Sequence, residues 1–335
     1  MRKKSYLLGV LGVVAGSFVF GKVVAAVFGL DGPNTSLPWV NTGPSVSVSP
    51  RGDFLCFAAT GEGEQDLYLY HVRSKKVTRL TKTAARESDP CFSPDGKGII
   101  YAAGWPGQRG NHLFVRHLKQ PSHATPITEG DYNDYQPSFS PDGSKIVFVR
   151  DQHYNSGALQ SPPWSQPDIY AAQADGSRVH AVTANAELGV NNPQFLADNK
   201  TVICASGWGS ETWKLCLTID KSEGVHALRA LNPRVSAFEL ALSPDRKMLV
   251  TANDGKMGLL SVKGKNLSSL YTVGLAGSSP VFSHDSKSLF FLTSDPKSQG
   301  YDPDHFGLWQ VDATGRNAHH IRSDDVFDDP LPSDD

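Results

Sequence analysis

A Ser-Pro-Asp-Gly step, or a close variant of it, returns six times along this chain, and no other feature of the sequence restricts the fold so strongly. The fullest copy runs Gln136-Pro137-Ser138-Phe139-Ser140-Pro141-Asp142-Gly143-Ser144-Lys145-Ile146-Val147-Phe148. A second runs from Asp89 through Ser93-Pro94-Asp95-Gly96 to Tyr101. Weaker copies centre on Ser49-Pro50-Arg51-Gly52, Leu196-Ala197-Asp198-Asn199, Ser243-Pro244-Asp245-Arg246 and Ser283-His284-Asp285-Ser286. From Pro50 to Pro94, Pro141, Ala197, Pro244 and His284 the successive steps are 44, 47, 56, 47 and 40 residues. Four-stranded propeller blades repeat at about 40–45 residues. The expectation is an all-β chain, a six-bladed β-propeller of four-stranded antiparallel blades spanning residues 44–323.

The turn chemistry gives each recurring residue a reason. Ser or Asp suits the first position of a type I turn, Pro pre-sets φ at the second, and Gly is favoured at the fourth. A type I turn followed by a left-handed residue closes a common three-residue hairpin. Asn199 replaces glycine acceptably because Asn tolerates the left-handed region. Arg246 and Ser286 do so less readily, which predicts looser turns in the fifth and sixth blades. Third strands follow at Leu67-Tyr68-Leu69-Tyr70, Leu113-Phe114-Val115, Ile169-Tyr170, Leu215-Cys216-Leu217, Leu259-Leu260 and Leu308-Trp309-Gln310-Val311. Short fourth strands end in Arg79-Leu80-Thr81, Pro126-Ile127-Thr128 and Ala181-Val182-Thr183. Every blade is complete in chain order, so closure does not require a swapped strand, although Pro33 to Gly43 or Val326-Phe327 could provide one.

Phe-Ser-Pro-Asp-Gly followed by an Ile-Tyr-type strand and a Leu-Thr-type ending resembles the WD40-like (PD40) repeat of TolB-like propellers. The same repeat builds the propellers of S9-type peptidases. The resemblance covers roughly residues 44–323 and implies fold much more than function. Neither a TolB N-terminal domain nor an S9 peptidase domain is expected in this sequence.

The first thirty residues differ in character. Arg2, Lys3 and Lys4 precede an apolar stretch from Tyr6 to Gly21, continued from Val23 to Leu30 after Lys22. A basic start before an apolar run describes a secretory signal, and the whole is also long enough to span a bilayer as one hydrophobic helix. Residues 1–30 are therefore read as a signal peptide or membrane anchor, 31–43 as a linker, and the Asp-rich 324–335 as an acidic tail. Both forms of the segment imply export to the periplasmic or extracellular side of the cell envelope, tethered by residues 6–30 or secreted. Cys204 and Cys216 flank one hairpin, without a C-x-x-C or zinc spacing; all four cysteines are expected to be free thiols.

Lys+Arg 32 against Asp+Glu 34 leaves a net charge of −2, so no overall basic field points to nucleic acid. Strand order puts the Ser-Pro-Asp-Gly turns on one face and the second-to-third-strand loops with the inter-blade connections on the other. The long or unusual segments all fall on that second face, and function usually sits on loops held by a rigid scaffold. The connections before the innermost strands are expected to ring the channel mouth with Glu87, Asp89, Asp131, Asn133, Asp134, Gln136, Asn192 and Glu239. The outer loops add Trp105, Trp164, Trp208, Tyr301 and His305. No resident cofactor is expected, although carboxylates beside carbonyls are the kind of group that holds Ca²⁺.

Catalytic signatures are missing. No Ser carries Gly at both −2 and +2, no His begins H-E-x-x-H, and no Walker loop is present. The expected function is a non-catalytic propeller that binds an envelope protein, a peptide or a glycan at its loop-rich face. The alternative is a propeller-type polysaccharide lyase or glycoside hydrolase, with carboxylates such as Asp131 and Asp134 doing acid/base work at the mouth.

Overall fold

The computed structural model describes residues 46–60, 65–71, 74, 76–108, 110–119, 123–152, 167–184, 189–207, 214–220, 228–230, 239–253, 256–263, 266–276, 278–293 and 307–320. The predicted N-terminal helix, linker and acidic tail lie outside them. The described residues are all strand, turn or irregular, and among them no helix is long and apolar enough to cross a membrane.

Among the described residues, twenty-four strands pair into four-stranded antiparallel sheets, each built from consecutive strands. The first contains β1 (Val46–Val48), β2 (Phe54–Thr60), β3 (Gln65–His71) and β4 (Lys76–Arg79). The second has β5 (Arg86–Phe92), β6 (Gly98–Gly104), β7 (His112–His117) and β8 (Ala124–Pro126). The third has β9 (Asn133–Phe139), β10 (Lys145–Asp151), β11 (Asp168–Gln173) and β12 (His180–Ala181). In the fourth are β13 (Gly189–Phe195), β14 (Thr201–Gly207), β15 (Lys214–Ile219) and β16 (Arg229–Ala230). The fifth comprises β17 (Glu239–Leu242), β18 (Met248–Asn253), β19 (Lys256–Lys263) and β20 (Asn266–Ala276). The last holds β21 (Ser278–Phe282), β22 (Ser288–Thr293), β23 (Gly307–Asp312) and β24 (His319–His320). Each first strand packs beside the first strand of the next sheet, from β1 through β5, β9, β13 and β17 to β21, and β21 also touches β1.

The core lies in apolar seams between consecutive sheets. Successive side chains of a strand point to opposite faces, so a second strand feeds two seams at once. Along β6, Ile99, Tyr101 and Ala103 meet Cys56, Ala58 and Leu67 of the first sheet. Ile100 and Ala102 instead meet Phe139, Ile146 and Phe148 of the third. Val202 and Cys204 of β14 join Val147 and Val149, while Ile203 and Ala205 join Leu240 and Leu249. Burial on both faces is why these strands read as continuous apolar runs. Full burial of each large side chain contributes roughly 1.5–3 kcal/mol.

Short polar bonds lock the turns. Ser93 Oγ donates to Asp95 Oδ1 at 2.6 Å, and Asp95 Oδ1 also accepts the Lys97 N–H at 3.0 Å. The Gly98 N–H donates to Ser93 Oγ at 2.9 Å. The same set recurs at Ser140, Ser243 and Ser283. These serine hydroxyls, then the backbone N–H groups, hold Asp95, Asp142 and Asp285 below the usual carboxylate range.

The turns of the fifth and sixth sheets are not looser, contrary to expectation. Arg246 and Ser286 sit at φ 58° and 60°, and their N–H groups donate to Ser243 O at 2.8 Å and Ser283 O at 3.0 Å. Neighbouring turns explain part of this. Asn199 Oδ1 accepts the Asp142 N–H at 3.2 Å, and Ser286 Oγ accepts the Asp245 N–H at 3.4 Å. The fourth-position side chain thus bonds the preceding turn and offsets the conformational cost. Where glycine holds the place, the preceding turn packs against it instead. A Cβ on Gly52 (φ 70°) would lie 2.3 Å from His284 Nδ1, which joins the last turn to the first.

Candidate binding site on the axis

Three polar residues at one repeat position break the rule that non-glycine residues avoid positive φ. Asp89, Gln136 and Asn192 have φ of 51°, 52° and 51°, and each precedes a proline, Pro90, Pro137 or Pro193. Strand register shifts at all three, between Ser88 and Cys91 on β5, Tyr135 and Ser138 on β9, and Asn191 and Gln194 on β13. Proline supplies no N–H to the ladder, and a bulge is where a sheet tolerates that loss. The bulge re-aims the preceding side chain. Glu239 occupies the same position in the fifth sheet, and Ser279 before Pro280 in the last, where register shifts between Ser278 and Val281.

These side chains link one sheet to the next around the axis. The Gln136 N–H donates to Asp89 Oδ2 at 3.4 Å, and the Asn192 N–H donates to Gln136 Oε1 at 2.8 Å. Two residues further along, the Phe92 N–H donates to Ser47 Oγ at 3.0 Å. Gln194 Nε2 donates to Leu240 O at 3.2 Å, and its Oε1 accepts the Leu242 N–H at 3.1 Å. Together they border a cavity of ≈ 470 Å³ that Cys91, Ser138 and Arg246 also line. That volume falls within the usual range of small-ligand pockets.

Asp89 is strongly perturbed. Burial pushes its carboxyl up to about 6, against the opposing hydrogen bonds from the Ser88 hydroxyl and the Gln136 backbone. Its Oδ1 is buried and has no hydrogen-bond partner among the described residues. Such an oxygen costs about 1–3 kcal/mol unless something donates to it.

The other expected site residues divide sharply. Glu87, Asp89, Asn133, Asp134, Gln136 and Asn192 lie within the first strands rather than in the connections before them. Glu87 does not border the cavity. It accepts from the hydroxyls of Thr81 and Thr83, and burial pushes its carboxyl up to about 7 against those bonds. Asp134 is also diverted, held by Arg150 through Nε–Oδ1 at 2.7 Å and Nη2–Oδ2 at 2.8 Å. The Arg150 guanidinium lies 4.3 Å from the Tyr132 ring centre and 5.0 Å from that of Tyr170. Asn133 Oδ1 accepts the Asn111 N–H at 3.0 Å. Asp131 is exposed on the connection before β9, and Glu239 is half-buried. Trp105 packs edge-on against Phe114 at 5.1 Å, inside the seam between the first two sheets. Trp164, Trp208, Tyr301 and His305 lie outside the described residues. Among the described residues, no three His, Cys, Asp or Glu side chains gather as a metal-ion site would require.

Sequence reasoning missed Cys91, Ser138, Gln194 and Arg246 as lining residues. The first three were readable, since they recur at one repeat position, two places after Asp89, Gln136 and Asn192. Arg246 had a signal too, as the bulkiest side chain in a glycine slot. Cys204 and Cys216 stand directly opposite each other on β14 and β15, and all four cysteines are free thiols.

Residues 33–156 match the family described as the TolB beta propeller domain, PD40. An uncharacterized protein of Agrobacterium fabrum is 27% identical over 134 residues, 40% of this chain. The chain spans 44% of the length of that relative. Among solved structures, a protein provisionally assigned as TolB from Agrobacterium tumefaciens superposes with a TM-score of 0.56 at 16% identity. That match covers 78% of this chain and 89% of the other. An oligogalacturonate lyase in complex with manganese gives 0.53 at 13% identity, covering 80% and 76%. At such identities the likeness is one of fold.

Proposed function

We propose that this TolB-like PD40 chain is an exported six-bladed propeller that binds an envelope protein, peptide or glycan at its loop-rich face, without catalysing a reaction. Six four-stranded sheets in chain order, with first strands touching from β1 round to β21 and back to β1, support the six-bladed ring. Export rests on the basic and apolar character of residues 2–30.

The observation that carries the binding role is the division of labour among buried polar groups. Asp66 is taken by Arg79, Glu87 by Thr81 and Thr83, and Asp134 by Arg150. Asp220 accepts from both Lys145 and His180, at 2.7 Å each, and so ties the third blade to the fourth. These carboxylates brace the scaffold. The axial set of Asp89, Gln136 and Asn192 instead borders open space, as a recognition surface on a rigid frame does.

Affinity capture from detergent-solubilised envelope tests the proposal. The triple variant Asp131→Lys, Trp164→Ala, Trp208→Ala is expected to lose partners that wild type retains, while a turn-face control, Lys247→Glu, keeps them. Equal recovery by the triple variant contradicts the loop-rich face as the binding surface. Turnover of an oligogalacturonate panel by the purified protein would replace binding with catalysis.

A further inference from the structure

Arg246 is the least explained residue of the repeat. Five of the six fourth-position turn residues are Gly52, Gly96, Gly143, Asn199 and Ser286, each suited to the left-handed region or compensated by a bond to the preceding turn. Arg246 shares that conformation at φ 58°, where a β-carbon is disfavoured. Its side chain makes no hydrogen bond or ion pair among the described residues, so it does not bond the preceding turn as those of Asn199 and Ser286 do. Strain of this kind collects at functional sites.

The side chain reaches the axial cavity, which Arg246 lines from the fifth blade. The group that senses its charge is Cys91, on the second blade, on the opposite side of the ring. Burial pulls the guanidinium below its usual range. Burial also pushes the Cys91 thiol up, so it supplies no negative charge in return. Arg246 therefore lines the cavity as a cation with no ion-pair partner among the described residues. Arg presents a planar fork of donors that matches a carboxylate bidentately.

Asp89 supplies the complementary half. Asp89 lines the same cavity, two residues before Cys91 on β5, and its Oδ1 lacks a donor among the described residues. The two opposite charges face the same ≈ 470 Å³ and do not pair with each other. We propose that the axial cavity binds a small zwitterion, its carboxylate on the Arg246 guanidinium and its ammonium on the Asp89 carboxylate. This inference rests on the same axial set as the proposed function, and small molecules test it separately from the envelope capture.

Calorimetric titration of the detergent-solubilised full chain with glycine, 4-aminobutanoate and 6-aminohexanoate measures the spacing of the two charges. Butanoate and butylamine, each carrying half the charge pattern, are the controls. One length is expected to bind at least tenfold tighter than either control. Arg246→Gly is expected to abolish that gain without lowering the unfolding temperature, because glycine suits the turn. Asp89→Asn is expected to weaken the amino acid at least tenfold while leaving butanoate unchanged. A panel in which no amino acid outbinds the controls overturns the proposal. So does an Arg246→Gly variant that binds as wild type does. Either result leaves the outcome of the envelope capture standing.

Discussion

Asp134→Ala breaks a buried ion pair that holds one strand pair of the third sheet. The pair it breaks is bidentate, at 2.7 and 2.8 Å, with side chains 0% exposed at Asp134 and 8% at Arg150. Removing one partner of such a pair typically costs about 3–5 kcal/mol, because the remaining charge is buried alone. Arg150 has little room to recover. Its guanidinium sits against Tyr132 at 4.3 Å and Tyr170 at 5.0 Å, so moving toward water forfeits those contacts as well. We expect a loss of about 4 kcal/mol, nearly a thousandfold in the folding equilibrium. The double variant Asp134→Ala, Arg150→Met removes both charges and is expected to recover at least about 2 kcal/mol of it. Urea denaturation of the four members of this cycle, followed by tryptophan fluorescence, gives the comparison. A single-variant loss below about 1 kcal/mol, or a double variant no more stable than Asp134→Ala, would refute the reasoning.

Three further outcomes follow from the same geometry. Glu87 rises from 4.5 to about 7 and Asp89 from 3.8 to about 6 on folding. Both folded forms hold protons more tightly than the unfolded chain, so their effect on stability is most favourable below about pH 4 and declines as pH rises to 7. Glu87→Gln should flatten that decline by roughly 2–3 kcal/mol in denaturation at successive pH values, and an unchanged slope would rule Glu87 out. Thr128→Val leaves the buried Leu113 N–H, which now donates to Thr128 Oγ1 at 2.9 Å, without an acceptor. It should cost about 1–3 kcal/mol by the same denaturation assay. Gly52→Ala drives a methyl into His284 and should destabilise the ring, with His284→Ala restoring part of the loss; purely additive effects in thermal melts would contradict a packed junction there.

Much of the fold was legible because turn chemistry is local. Ser140-Pro141-Asp142-Gly143 encodes its own hairpin, and the hydroxyl, carboxylate and N–H that close it lie within five residues. The conformation of Arg246 and Ser286 was harder to anticipate, because what helps Ser286 is the backbone of Asp245, 41 residues away and brought close only by the ring. The site was half legible for a related reason. Polar residues ahead of Phe-Ser-Pro-Asp-Gly mark the axis, yet residues two apart on a strand share a face and adjacent ones do not. Bulges at Asp89 and Gln136 interrupt that alternation. Glu87 is therefore turned toward Thr81 and Thr83, and Asp134 toward Arg150, where reading the strands as unbroken would send them to the channel. Register breaks of this sort depend on pairing between strands, which the sequence of one strand does not display.

Site-specific photo-crosslinking in intact cells most directly tests whether the loop-rich face is the recognition surface. A photoreactive residue at position 131, on the exposed connection before β9, is compared with one at position 175, in the turn between β11 and β12 on the opposite face. A discrete crosslinked envelope product is expected from position 131 and none from position 175. The reverse pattern, or none from either position, would contradict the loop-rich face as the recognition surface.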